Sequence, residues 1–268
     1  KGASDLFLSV GTPITLKVSG QCVATNSEPL AENAVIEMLA QSVTPDQIDW
    51  LLSTGELNTR IILPDTGYFR LSAMRERGNY AAVIRAIPKS IPAFEQLGLP
   101  HALTDMIMGY RGLMLVVGAT GAGKSTTVAS LLDWRNERNT GHILTVEDPI
   151  EYVFQSKRSV INQREVGVDT TSFDIGLRNG LRQSPDVIFI GEIRDAGTML
   201  QAMAYAQTGH FCIATLHAGN SQQALSRIMN FFPVDSHIGV CSEIALTLTG
   251  ILSQRLVRTV DGNRTPAT

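Results

Sequence analysis

Cysteine is scarce in this 268-residue chain: Cys22, Cys212 and Cys241 stand far apart, odd in number and without a CxxC pair. That argues against a disulfide framework or a four-cysteine zinc site and fits a reducing cytoplasm. The five histidines form no HExxH or HxxxH spacing, so buried or capping roles are expected for them rather than metal ligation. Aromatic residues make up only 6% and the formal net charge is −3. A nucleic-acid motor would want stacking groups and basic loops, so no nucleic-acid partner is expected. Long apolar runs are missing as well. LMLVV (113–117) and VIFI (187–190) are far too short to span a bilayer, which argues against membrane insertion. No internal repeat or low-complexity tract is visible. What remains is an ordinary soluble composition, 44% hydrophobic and 18% charged, long enough for one large domain or two smaller ones.

The first hundred residues read as α+β. ITLKVSG (14–20) alternates and turns at Ser19-Gly20 into another short strand. Residues 30–43 place Val35, Ile36, Leu39 and Val43 at helical spacing. Thr44-Pro45-Asp46-Gln47 supplies an N-cap, a proline at the first helical position and a glutamine at the third, with Gly55 as the stop. LNTRIIL (57–63), the turn Pro64-Asp65-Thr66-Gly67, YFRLSAMR (68–75) and AAVIRAI (81–87) then read as antiparallel strands. Prolines at 88, 92 and 100 with Gly98 mark a connection, and the boundary is drawn between a domain of residues 1–92 and one of 93–268.

The second half has another rhythm. GLMLVV (112–117), HILTV (142–146), VIFI (187–190) and FCIATL (211–216) are continuous apolar strands. Helices near 124–138, 172–183, 195–207 and 220–231 alternate with them. Such strands read as a parallel sheet covered on both faces. After the first of them comes GATGAGKST (118–126), which matches the phosphate-binding loop pattern in the context that pattern needs, a strand before and a helix after. A chance match somewhere in this length has odds of about one in a hundred. Gly118, Gly121 and Gly123 let backbone N–H groups approach an anion without Cβ clash. The helix opening at Lys124 adds its positive end. Thr120, Ala122 and Thr126 complete the loop, Lys124 can reach the β- and γ-phosphates, and the Ser125 hydroxyl can ligate Mg²⁺.

In an open parallel sheet, ligands sit beyond the carboxyl ends of the strands. HILTV runs into Glu147-Asp148-Pro149-Ile150-Glu151, VIFI into Gly191-Glu192-Ile193-Arg194, and FCIAT into Leu216-His217. Either Glu147 or Glu192 could polarise the attacking water while the other holds the Mg²⁺ shell. Because Gly191 stands where a usual Walker-B strand ends in aspartate, Glu192 is favoured as the metal-side acid, acting directly or through water, and Glu147 as the base. His217 is placed to sense the γ-phosphate; His210 leans structural; Asp148 and Glu151 serve equally well as caps or surface charges. Arg70 and Arg85, on two predicted strands, read by themselves as solvated charges. Yet a γ-phosphate needs cationic neutralisation, and the P-loop half offers few candidates besides Arg164 and Arg194.

GATGAGKST, ILTVEDPIEY (143–152), NQREVG (162–167), SPDVIFIGEIRD (184–195) and TGHFCIATLHAGN (208–220) resemble the Walker A, Asp box, Walker B and His box of secretion-superfamily motor ATPases. Within these, the chain resembles the type IV pilus retraction ATPases, the PilT and PilU kinds. ATLHAGNSQQALSRIMNFFP (214–233) lies nearer the PilU kind, and GASDLFLSVGTP (2–13) resembles the family's opening. The resemblance implies a P-loop RecA-like parallel-sheet domain preceded by a smaller α+β PAS-like domain, and a homohexameric ring that hydrolyses Mg-ATP in the cytoplasm at the inner membrane. It implies ATP and Mg²⁺ as cofactors, and retraction of pili for twitching motility or DNA uptake. A paralogous retraction ATPase and an inner-membrane platform protein are the implied partners. It also raises Arg70 and Arg85 to catalytic candidates, since their 15-residue spacing matches the family's paired arginines. Two departures matter. The four-cysteine zinc module usual in assembly and type II secretion ATPases is missing, which speaks against an extension motor. Gln254–Val260 reads as a strand entering an Asp261-Gly262 turn whose partner would barely begin, so the chain is expected to be truncated at its C-terminal end. A slow, partner-dependent nucleotide-binding ring subunit is the alternative function.

Overall fold

The computed structural model describes residues 2–18, 20–64, 66–259 and 264–268. They form two compact units, Lys1–Lys89 and Ser90–Thr268. The expected turns at Ser19-Gly20, Pro64–Gly67 and Asp261-Gly262 each include residues outside the described ones.

The first unit is α+β, as the periodicities suggested. Its strands are β1 (Ala3–Ser9), β2 (Thr15–Val18), β3 (Gln21–Ala24), β4 (Glu56–Leu63), β5 (Gly67–Glu76) and β6 (Asn79–Ala86). They form one antiparallel sheet in the order β3-β2-β1-β6-β5-β4. Helices α1 (Ala34–Leu39) and α2 (Pro45–Thr54) contribute Val35, Leu39 and Leu51 to a core with Leu8, Leu57, Ile61, Leu71, Ala73 and Ala82. The α2 cap forms as the sequence predicts. The Thr44 side chain accepts from the Gln47 N–H, the Gln47 side chain accepts from the Thr44 N–H, and Gly55 ends the helix in the left-handed region. Helix α1 is shorter than the predicted 30–43. Asn33 is left-handed at φ 68°, which a helix interior excludes, and Val10 and Leu30 form an isolated parallel bridge. The sequence reading did not resolve β1, although it lies between β2 and β6.

The second unit is α/β. Strands β7 (Gly112–Val117), β8 (Gly141–Glu147), β9 (Ser159–Glu165), β10 (Val187–Ile190), β11 (Phe211–Leu216) and β12 (Leu248–Ser253) form a wholly parallel sheet in the order β12-β7-β11-β10-β8-β9. Because side chains alternate across a strand, Leu113, Leu115 and Val117 enter one apolar core while Met114 and Val116 enter another. Helices α3 (Ala102–Ile107) and α4 (Lys124–Arg138) cover the second face. On the first face lie α5 (Phe173–Gly180), α6 (Ala196–Gln207), α7 (Ser221–Met229) and α8 (His237–Thr247). A two-stranded ladder, β13 (Arg255–Arg258) with β14 (Arg264–Ala267), closes the unit. That pairing is fuller than the barely begun partner expected from sequence. Burial on both faces explains why β7, β10 and β11 are legible as unbroken apolar runs. All strands being parallel, β7, β8, β10 and β11 end on one edge, where the segments that follow them converge. Among the described residues no helix is long and apolar enough to cross a membrane.

Candidate nucleotide site

The loop after β7 is glycine-dependent where it turns: Gly121 and Gly123 have φ of 76° and 84°, a region that L side chains rarely adopt. Lys124 opens α4 and is 8% exposed. Its Nζ donates to the carbonyls of Gly118 (2.9 Å) and Ala119 (3.0 Å). The ammonium therefore sits inside the loop's own curve. Burial lowers its pKa, and the nearby carboxylates of Glu192 and Glu151 act against that. A cation held by carbonyl dipoles in a half-dry loop is poised for a stronger anionic partner. Thr120 lies exposed at the loop tip, and Ser125 is half-buried in the first turn of α4. The Thr126 hydroxyl is 2.9 Å from that of Tyr152, which ties the helix to the acidic segment after β8.

Glu147 ends β8 and is 5% exposed. Thr145, two residues earlier on the same face, donates to its Oε1 at 2.6 Å, and Gln163 Nε2 donates to the same oxygen at 3.2 Å. Thr145 and Gln163 face each other across β8 and β9. The Gln163 amide is itself held, donating to the Tyr152 carbonyl and accepting from the Phe154 N–H. Burial pushes the Glu147 carboxyl up to about 7, against these bonds, which favour the ionised form. Such a carboxyl changes charge near neutral pH, as a general base must.

Glu192, just beyond β10, is bracketed. Arg194 Nε donates to its Oε2 at 2.7 Å, and His217 Nε2 lies 3.1 Å from its Oε1. Arg194 also reaches Asp148 Oδ2 at 3.1 Å. Burial and the Lys124 charge lower the His217 pKa against the pull of Glu192; since a carboxylate only accepts, the imidazole donates to it through Nε2. Gly191 sets the spacing between the two acids: a Cβ there would lie 3.0 Å from the Glu147 Cα and 3.3 Å from the Val146 carbonyl.

The strand-edge candidates thus meet in one place: the loop, Glu147, Glu192 and His217. Arg70 and Arg85 lie in the first unit, opposite each other on β5 and β6, and Asp5 accepts from Arg85 Nε at 2.6 Å. Arg164 instead bonds the carbonyls of Gly176 and Asp169, and His210 packs on Tyr205 with its Nδ1 beside Thr208 Oγ1 and the Tyr205 carbonyl. Sequence reasoning did not single out Thr145 and Gln163. The i,i+2 spacing of Thr145 and Glu147 on a strand was the available signal for the first; Gln163 needed the pairing of β8 with β9.

The donor set suits Mg²⁺. The Ser125 hydroxyl and the Glu192 carboxylate are hard oxygen donors of the kind that ion takes. Mg²⁺ commonly takes one or two protein oxygens and completes its shell with phosphates and water.

Comparison with known proteins places the chain in a family. Residues 52–265 match the type II/IV secretion system protein family. The type IV pilus ATPase PilU of Pseudomonas aeruginosa is 45% identical over 98% of this chain and 69% of its own length. The type IV pilus retraction ATPase PilT of the same species is 37% identical over 100% of this chain and 78% of its own. A crystal structure of the pilus retraction motor PilT with bound ADP superposes with a TM-score of 0.95 at 39% identity, covering 99% of this chain and 78% of that one.

Proposed function

We infer the function from one premise: the chain belongs to the type II/IV secretion system protein family, within it to the pilus ATPases of the PilU and PilT kind, and is an ATPase. We propose that it is a homohexameric, Mg²⁺-dependent motor in the cytoplasm that powers retraction of type IV pili at the inner membrane. In this reading the loop from Gly118 to Thr126 cradles the phosphates and Lys124 transfers its hydrogen bonds from loop carbonyls to phosphate oxygens. Ser125 and Glu192 hold the Mg²⁺, which neutralises charge on the phosphates. Glu147 takes the proton of the attacking water, and His217 reports the γ-phosphate to Glu192 through their shared hydrogen bond. Arg70 and Arg85 bring positive charge from the first unit of a neighbouring copy. A platform protein in the membrane and a paralogous retraction ATPase are the partners this role calls for.

The observation that carries the reading is the placement of a buried lysine and two carboxylates on one strand edge beside a glycine loop. The test is steady-state ATP hydrolysis beside Lys124→Ala and Glu192→Ala, with the oligomer sized in nucleotide and pilus retraction scored in cells carrying each variant. Both changes should abolish turnover and retraction. Retraction supported by Lys124→Ala would sink the motor reading.

A second reading draws on the bracketing of Glu192 by Arg194 and His217 together with Lys124 bound to its own loop. In this reading the Arg194–Glu192 pair and the Lys124–loop bonds rearrange before chemistry, which favours slow basal turnover and an accessory ring beside another motor ATPase. Tight ATP binding with turnover only after that partner is added would select it.

A further inference from the structure

Gln254 follows β12, 130 residues after Lys124 in the chain, and its side chain is 0% exposed. It touches the phosphate loop at three points. Its backbone N–H donates to the Val117 carbonyl at 2.8 Å, where β7 enters the loop. Its Nε2 donates to the Ala122 carbonyl at 2.8 Å, in the middle of the loop. Its Oε1 accepts from the Thr127 hydroxyl at 2.8 Å, where the loop has become α4. Only one orientation of the amide satisfies both side-chain contacts. A carbonyl can only accept, so the NH₂ faces Ala122 and the oxygen is left for the hydroxyl.

The loop glycines are shaped around this residue. A Cβ on Gly118 would lie 2.5 Å from the Gln254 carbonyl oxygen, and one on Gly123 would lie 2.9 Å from Gln254 Nε2. Gly121, by contrast, has open space around it and is needed only for its φ of 76°. Two of the three loop glycines thus admit Gln254 as well as a ligand.

Within a trans peptide, the C=O of one residue and the N–H of the next point in opposite directions. Holding the Ala122 carbonyl toward Gln254 therefore directs the Gly123 N–H away from it. We propose that Gln254 is a positioning residue for the phosphate cradle, locking the Ala122–Gly123 peptide so that its N–H faces the bound phosphates. The proposal rests on reading the loop as a nucleotide site. Without the amide this peptide, which turns about the permissive φ of Gly123, is held less firmly, and the cradle loses a preset donor. The same amide links the loop to the segment that runs on into β13, so a shift of that segment is felt at the phosphates.

The test uses the full chain and a fluorescent ADP analogue, measuring Kd, turnover and Tm for Gln254→Met and Gln254→Glu. Methionine keeps the length and removes both bonds; glutamate keeps the acceptor for Thr127 and loses the donor to Ala122. Each should weaken analogue binding by roughly tenfold, the worth of one well-placed hydrogen bond. Exchange of the Gly121–Lys124 amides with solvent deuterium should also quicken. A merely structural role lowers Tm and the folded fraction but leaves Kd of the folded protein alone. Folded variants with a Kd within twofold of wild type would therefore overturn the proposal. Should neither variant fold, Thr127→Val decides, since without its Oε1 anchor the Gln254 amide can turn its NH₂ away from Ala122: several-fold weaker binding supports the proposal, and unchanged binding overturns it. A wild-type chain that binds no analogue removes the nucleotide reading itself, and the proposal with it.

Discussion

Arg70 and Arg85 face each other directly across β5 and β6, and Arg60 faces Arg70 from β4. Like charges in directly opposed positions destabilise an antiparallel pair. Asp5, opposite Arg85 on β1 and 5% exposed, offsets part of that by bonding Arg85 Nε. The 15-residue spacing is a consequence of the hairpin: with Glu76 paired to Asn79, the register necessarily brings 70 against 85. Arg60, Arg70 and Arg85 thus form a row of three on the sheet face opposite Leu71.

If Arg70 and Arg85 act on transition-state charge, alanine at either lowers kcat far more than it weakens binding. A loss on the order of a thousandfold in turnover is expected, with nucleotide Kd changed only a few-fold. Parallel turnover and binding titrations check this, and equal losses in both would assign the pair to ground-state binding.

Hydrolysis should rise with pH along a limb centred near 7, because Glu147, pushed up to about 7 by burial, must be ionised to take a proton. Thr145→Val removes the 2.6 Å bond that favours the ionised form, so the limb should move to higher pH. A turnover profile from pH 5.5 to 9 for both proteins reads the shift directly.

Glu147 also links stability to pH. Its folded-state pKa of about 7 stands above the unfolded value of 4.5. The stability it contributes is fully present below pH 4.5 and is lost as pH rises through 7. Glu147→Gln should therefore exceed wild type in unfolding free energy by about 3 kcal/mol at pH 8.5, with the difference vanishing toward pH 4.5. Urea denaturation at three pH values tests the sign as well as the size.

Gly191→Ala places a methyl against the backbone of Glu147, which cannot swing aside as a flexible side chain would. Overpacking of this kind costs about 1–3 kcal/mol. The displacement falls between Glu147 and Glu192, so turnover should drop by about tenfold or more. Unfolding curves and turnover together separate the two effects.

Local chemistry was legible in the sequence. The unbroken apolar runs of β7, β10 and β11 announced a sheet buried on both faces. Thr44, Pro45, Gln47 and Gly55 announced the ends of α2, and the glycine loop ahead of Lys124 announced the start of α4. Each rests on residues within a few positions of one another, where the backbone's own periods and hydrogen-bonding needs leave few choices. Strands β1, β9 and β12 escaped that reading. ASDLFLS has a burial pattern too irregular for clean alternation, and SVINQRE lies at a sheet edge where polar residues are tolerated.

What only the tertiary structure decided are the contacts between distant segments. Gln163 reaches Glu147 because β9 pairs with β8, and Gln254 reaches Ala122 and Thr127 because β12 lies beside β7. No local spacing in the chain assigns either glutamine its partners. A neutral amide takes its role wholly from the donor and acceptor placed before it, and those partners arrive only when the sheet closes.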